Sequence, residues 1–174
     1  ARPCLLYQRR GAHKDTWPAR LDVTVGGHYA SGETLVDVLR EVEEEIGQPV
    51  ALEQLVRLGT RQVVSNGGMG GPGGQPVKDC EIQDVFLWRS TLPLGAYRPQ
   101  PVEVTALERV SVADTLALLS GQVRRVPSHR LLPGGEQSDA WISETDLIPT
   151  LDRYFYRVAV VADLAAQGYP HLVV

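Results

Sequence analysis

The chain has 174 residues, 43% of them hydrophobic, and a formal net charge of −4 at pH 7. That is enough apolar material for one domain, residues 1–174, to bury a core unaided. The acidic balance argues against an extended basic surface for nucleic acid, while leaving small anionic substrates and a local basic pocket open.

Cys4 and Cys80 are the only cysteines. No stretch resembles a signal peptide, and no apolar run approaches membrane-spanning length. A reducing, cytoplasmic setting is expected, with both cysteines as small buried residues on strands. The first strand is reached at once in "RPCLLYQRR", so a preceding segment is expected to be missing.

Residues 3 to 9 are predicted as a strand, followed by a loop punctuated by Gly11 and Pro18. "LDVTVGGHY" is a short β-branched run ending in a Gly-Gly turn. A helix is predicted from about Leu35 to Ile46, closed by Gly47 and Pro49. "ALEQLVRLGTRQVVS" reads as a turn and a strand, and the glycine-rich stretch 66–76 as a mobile hairpin loop. "EIQDVFLWRS" is a strand, and "VEVTALERVSVADTLALL" passes from extended to helical at about Ser111. Residues 120 to 140 read as loop. A long helix is expected within 144–167, with Leu147, Leu151, Phe155, Val158 and Leu164 spaced for burial. Strands interleaved with helices in this order indicate a layered α/β domain.

The stretch "LREVEEEIGQP" places four glutamates in five positions, Glu41 to Glu45, at a helix end where the backbone dipole is also negative. At about 100° per residue, Glu44 and Glu45 fall within about 60° of Glu41. Leu35, Val38, Leu39, Val42 and Ile46 form an apolar stripe beside them. Like charges at this spacing cost about 0.2–0.5 kcal/mol per pair, and opposing the dipole costs a similar amount. A hard divalent cation would remove both penalties. An ordinary solvated acidic face is the alternative.

The run "GGHYASGETLVDVLREVEEEIG", residues 26 to 47, resembles the Nudix box: Gly27 and Glu33 match its first part, and Arg40, Glu41, Val42, Glu44, Glu45 and Gly47 its second. The interval between Glu33 and Arg40 is one residue short of the pattern, and Gln48 replaces the closing aliphatic. The likeness extends over roughly residues 5 to 112. "LLYQRRGAHKDTWPARLDVTVGGH" is similar to the subgroup related to isopentenyl-diphosphate isomerase, but Gly26 stands where the isomerases carry a catalytic cysteine.

This resemblance implies a Nudix-type α/β/α sandwich with a central mixed β-sheet, and a metal-dependent hydrolase cleaving a diphosphate linkage in a nucleoside diphosphate derivative. It further implies Mg²⁺ or Mn²⁺ on Glu41, Glu44 and Glu45, which would polarise a phosphoryl oxygen and activate water. Arg40 is expected to pair with Glu44 and orient it. Glu103, Glu81 or Glu45 itself is expected to act as base. Arg10 and Lys14 would grip phosphate oxygens.

His28 is expected either to touch substrate or to make a structural hydrogen bond. Trp17, Tyr29 and Trp88 are aromatics suited to stacking or to the core. The C-terminal helix is expected to wall the pocket or form a homodimer contact. An isomerase-like enzyme on prenyl diphosphates and a non-catalytic nucleotide- or protein-binding module are the competing readings.

Overall fold

The computed structural model describes residues 2–68 and 77–174. In chain order these form β1 (Cys4–Arg10), β2 (Leu21–Asp22), α1 (Leu35–Val38), α2 (Arg40–Ile46), β3 (Leu55–Gly68), β4 (Val77–Trp88), β5 (Val104–Ser111), α3 (Val112–Leu119), β6 (Arg125–Leu131), β7 (Gln137–Ser143) and α4 (Tyr154–Ala166). Short 3₁₀ turns precede β3, β5 and α4. Of the glycine-rich stretch 66–76, residues 66–68 end β3 and the remainder lies outside the described residues.

Five strands form a sheet in the order β2-β1-β5-β6-β7, every ladder antiparallel. Parallel pairing is represented by an isolated bridge between Leu21 and Leu147. β3 and β4 form a separate antiparallel hairpin.

Because strand side chains alternate, the sheet presents two faces. Tyr7, Val110, Val126 and Ile142 face one core with Leu118 of α3, Phe155, Val161 and Ala165 of α4, and Leu58 and Val85 of the hairpin. Leu6, Leu107 and Leu131 face the other with Ile46 and Val42 of α2, Leu94, Tyr97 and Trp88. Helices thus cover both sides of the sheet, which is the expected layered α/β sandwich. Ile46, Leu107 and Leu131 are fully buried, worth about 1.5–3 kcal/mol each.

The predicted glutamate helix is present as α1 and α2 with a break at Leu39. Its start is fixed by Asp37, whose carboxylate accepts from the Thr34 amide at 2.8 Å and the Thr34 hydroxyl at 2.7 Å. Gly47 ends it in the left-handed region, φ +69°. A Cβ there would lie 2.6 Å from Arg98 Cβ, so both conformation and space demand glycine. The switch at Ser111 also holds, since its hydroxyl accepts from the Asp114 amide at 3.0 Å and caps α3.

Other expectations are corrected. Residues 120–140 contain the β6–β7 hairpin rather than a loop; Pro127 and the Gly134-Gly135 turn mask its alternation. The long C-terminal helix begins only at Tyr154, because Pro149 cannot sit in a helix interior and Arg153, in the left-handed region at φ +55°, breaks the chain again before it. Leu151 is consequently fully exposed, while Leu147 and Phe155 are buried. The β-branched run after Pro18 contributes only two residues to the sheet. Cys4 and Cys80 lie on strands as expected but are exposed. Cys4 begins β1 beyond the part of the sheet that α2 covers, and Cys80 belongs to the two-stranded ribbon.

Candidate active site

The end of α2 is tied to the loop that follows β4. Arg98 and Gln100 donate their amides to the carbonyls of Ile46 and Glu45, each at 2.8 Å. Carbonyls that the helix leaves without partners are thereby satisfied. The Gln100 carboxamide accepts from the amides of Val102 and Glu103 at 2.7 and 2.8 Å. The Glu103 carbonyl in turn accepts from Gly11 at 2.7 Å. Gly11 has no room for a Cβ against the Val102 carbonyl. This chain of backbone bonds brings the β1–β2 loop against the start of β5, where Lys14 and Glu103 form an ion pair.

Glu45 lies beside that pair. It is 8% exposed, and its Oε2 accepts from Gln8 Nε2 at 3.3 Å. Burial pushes its carboxyl up to about 7, with the charges of Glu103 and Glu41 adding to the rise and Lys14 and Gln8 opposing it. An acid buried among acids titrates near neutrality because ionising it costs both desolvation and repulsion. Glu41 is half-buried. Gly27 lies so near it that a Cβ would collide with Glu41 Oε2 and Val38 Cγ1, which explains the glycine there.

Glu44 is exposed, with Arg40 Nε at 3.8 Å. The principal partner of Arg40 is instead Glu33, at 2.9 Å, and the same nitrogen also donates to the Asp37 carbonyl at 2.9 Å. Glu33 is held in place by the Ala30 amide at 2.8 Å. That bond and the Arg40 guanidinium keep its carboxyl below the ordinary value. The shortened interval between Glu33 and Arg40 therefore does not prevent them from meeting.

The Arg10 guanidinium is committed within the chain, to Asp22 at 3.1 Å and to the Thr16 carbonyl and hydroxyl at 3.1 and 3.2 Å. His28 is largely exposed, with Glu81 at 3.8 Å, beyond hydrogen-bond length. Glu81 itself accepts from Gln83. Trp88 packs edge-on against Tyr97 at 6.4 Å, whereas Trp17 and Tyr29 are exposed.

Gln8 was not singled out by sequence, although it had a signal: a neutral polar residue in the apolar alternation of β1, 4% exposed, needs a buried partner.

Carboxylate oxygens are the donors that Mg²⁺ and Mn²⁺ prefer. The mutual repulsion that lifts Glu45 among Glu41 and Glu103 is what a divalent cation would relieve, so the donor chemistry fits. A ready-made cluster of three ligands is nevertheless absent among the described residues.

A family profile described as the NUDIX domain matches residues 1–132. The chain is 26% identical over 119 residues to an uncharacterized Nudix hydrolase of Clostridium acetobutylicum, covering 68% of this chain and 54% of that one. It is 31% identical over 121 residues to Nudix hydrolase 3 of Arabidopsis thaliana, covering 67% of this chain and 15% of the other. Over 43 residues it is 54% identical to an uncharacterized Nudix hydrolase of Nostoc, covering 24% and 25% respectively. The chain thus spans about half the length of the first relative and much less of the others. With the profile covering three quarters of its length, the box residues on α1 and α2, and the helix-sheet-helix layering, the chain belongs to the Nudix family.

Proposed function

We propose that this chain is a divalent-metal-dependent pyrophosphohydrolase acting on a diphosphate linkage in a nucleoside diphosphate derivative. The observation that carries it is Glu45, an acid buried against Glu41, Glu103, Lys14 and Gln8 on the box helix. A buried carboxylate with like-charged neighbours destabilises the fold unless it has a task or a counter-ion.

Glu41, Glu44 and Glu45 would hold Mg²⁺ or Mn²⁺, which when bound supplies charge neutralisation for the diphosphate and a lowered pKa for water. Gln8 positions Glu45 through its amide. Arg40, braced by Glu33, fixes the direction of the helix start and stands within reach of Glu44. Glu103 is the favoured proton acceptor: it is the acid beside Glu45 that is carried on a separate element, and Lys14 holds it there. Lys14 can exchange Glu103 for a phosphate oxygen when substrate enters, as a mobile point charge does readily. Arg10 serves the same loop as a strut, through Thr16 and Asp22.

The test is phosphate or nucleotide release from nucleotides, dinucleotides, nucleotide sugars and prenyl diphosphates with Mg²⁺ or Mn²⁺. Turnover of one class, lost at least 100-fold in Glu45→Gln and Glu44→Gln at unchanged fold, is the expected result, of a size consistent with loss of metal or acid-base catalysis. No turnover across the panel by wild type with metal bound would favour a binding module, and allylic isomerisation without release would favour the prenyl-diphosphate reading.

A further inference from the structure

The sheet face that carries the box helix is only partly roofed. Leu107 and Leu131, cross-strand neighbours on β5 and β6, are 0% exposed beneath Leu94 and Tyr97. Beside them Gln137 abuts Gly95, where a Cβ would lie 2.8 Å from its Nε2. There the roof ends.

One row further along, Arg109, His129 and Asp139 are paired across β5, β6 and β7, so their side chains emerge on the same side. With Gln137 and Ser138 they line an open cleft of about 290 Å³. In the next row stand Pro127 and Trp141, the latter 59% exposed with the Arg125 guanidinium 5.0 Å over its ring.

Arg109 and Asp139 bring opposite charges to this cleft but are not paired with each other. Asp139 is engaged by His129 at 2.8 Å. Arg109 is half-buried, its cross-strand neighbour on β1 is the apolar Leu6, and among the described residues it has no hydrogen-bond or ion-pair partner. Several other half-buried arginines of this fold are tied down: Arg9 and Arg130 share Glu108, Arg10 bonds Asp22, and Arg61 bonds Asp152. A guanidinium held on a sheet, with five donors and no bonded acceptor among the described residues, is suited to an oxyanion.

We propose that this cleft is a second anion site, separate from the box helix, that takes a phosphate monoester with Arg109 as its anchor and Gln137 as a neutral donor. The shared chemistry is the phosphate group, whether free inorganic phosphate or the phosphate of a nucleoside monophosphate. In the latter case the exposed Trp141 offers a ring for the base. The site sits on the β5–β6–β7 side of the sheet, away from Lys14 and Glu103, so it is a binding site and not part of the catalytic set. The proposal does not depend on the hydrolase reading.

Calorimetric titration of the full chain in EDTA, with inorganic phosphate, AMP and adenosine in separate arms, tests it. Saturable binding of phosphate or AMP is expected, weakened at least tenfold in Arg109→Gln and partly kept in Arg109→Lys, which preserves charge and the packed stem. Both variants should retain the wild-type melting temperature and its metal-dependent turnover. AMP tighter than phosphate, with adenosine silent, identifies a nucleotide; equal affinity identifies the phosphate alone. Absence of binding in wild type, equal affinity in Arg109→Gln, or loss of binding in Glu45→Gln with Arg109 intact would overturn the assignment.

Discussion

Replacing Glu45 by Gln removes a charge from a buried position while keeping its size and an oxygen for the Gln8 amide. In the folded, metal-free chain the carboxyl titrates at about 7 rather than its ordinary 4.5. A folded-state pKa above the unfolded one means the native state binds the proton more tightly. That contribution to stability is complete below about pH 4.5 and disappears as pH rises through about 7. A gap of about 2.5 pH units at about 1.4 kcal/mol each amounts to about 3 kcal/mol. The Gln variant carries no such dependence. Measured by urea unfolding in EDTA, its stability relative to wild type should therefore rise by about 3 kcal/mol between pH 4.5 and 8. Comparing the two proteins at each pH cancels the titration of groups that do not interact with Glu45. Adding Mg²⁺ at pH 8 should stabilise wild type by mass action and the variant much less. A stability difference that stays flat across this pH range would refute the burial and repulsion assigned to Glu45.

Gly27→Ala should displace the Glu41 carboxylate, the free end of a side chain, and press on Val38 Cγ1, so a modest loss of stability is expected; Mg²⁺ affinity, read by calorimetry, should fall about tenfold as that carboxylate is displaced. Glu108→Ala should cost about 3–5 kcal/mol, because it strands Arg130, leaves Arg9 with only Asp146 and the Ala19 carbonyl, and deprives Ser128 of its 2.7 Å acceptor. At about 2–4 °C per kcal/mol for a chain of this size, the melting temperature should drop by about 6–20 °C. Gly47→Ala should lose about 1–3 kcal/mol in denaturant unfolding, from a left-handed residue pressed against Arg98.

The layering and the box helix were legible because their signals are local. Apolar spacing, the Gly47 stop and the Ser111 cap each lie within a few residues of what they determine. The β6–β7 hairpin was hidden because Pro127 interrupts a short alternation and because its outer face carries Arg125 and Trp141, which look like loop residues until a sheet places them in a row. The late start of α4 follows from Pro149 and the left-handed Arg153 interrupting an apolar period that continues through them. Within the site, the Glu33–Arg40 pair and the Gln8–Glu45 bond span 7 and 37 residues respectively. Only the folded chain reveals whether such partners meet. Exposure of Cys80 depends on its strand belonging to the separate two-stranded ribbon, which strand composition does not encode.

Gln8 and Arg9 are neighbours in β1 that face opposite sides of the sheet, one toward Glu45 and the other toward Glu108. A shift of this strand by a single position would exchange them, setting a neutral amide against a buried carboxylate that needs two cations and forcing a guanidinium under the box helix. Misthreading is thereby penalised on both layers at once, so β1 polices its own alignment and, with it, the spacing of the acids above.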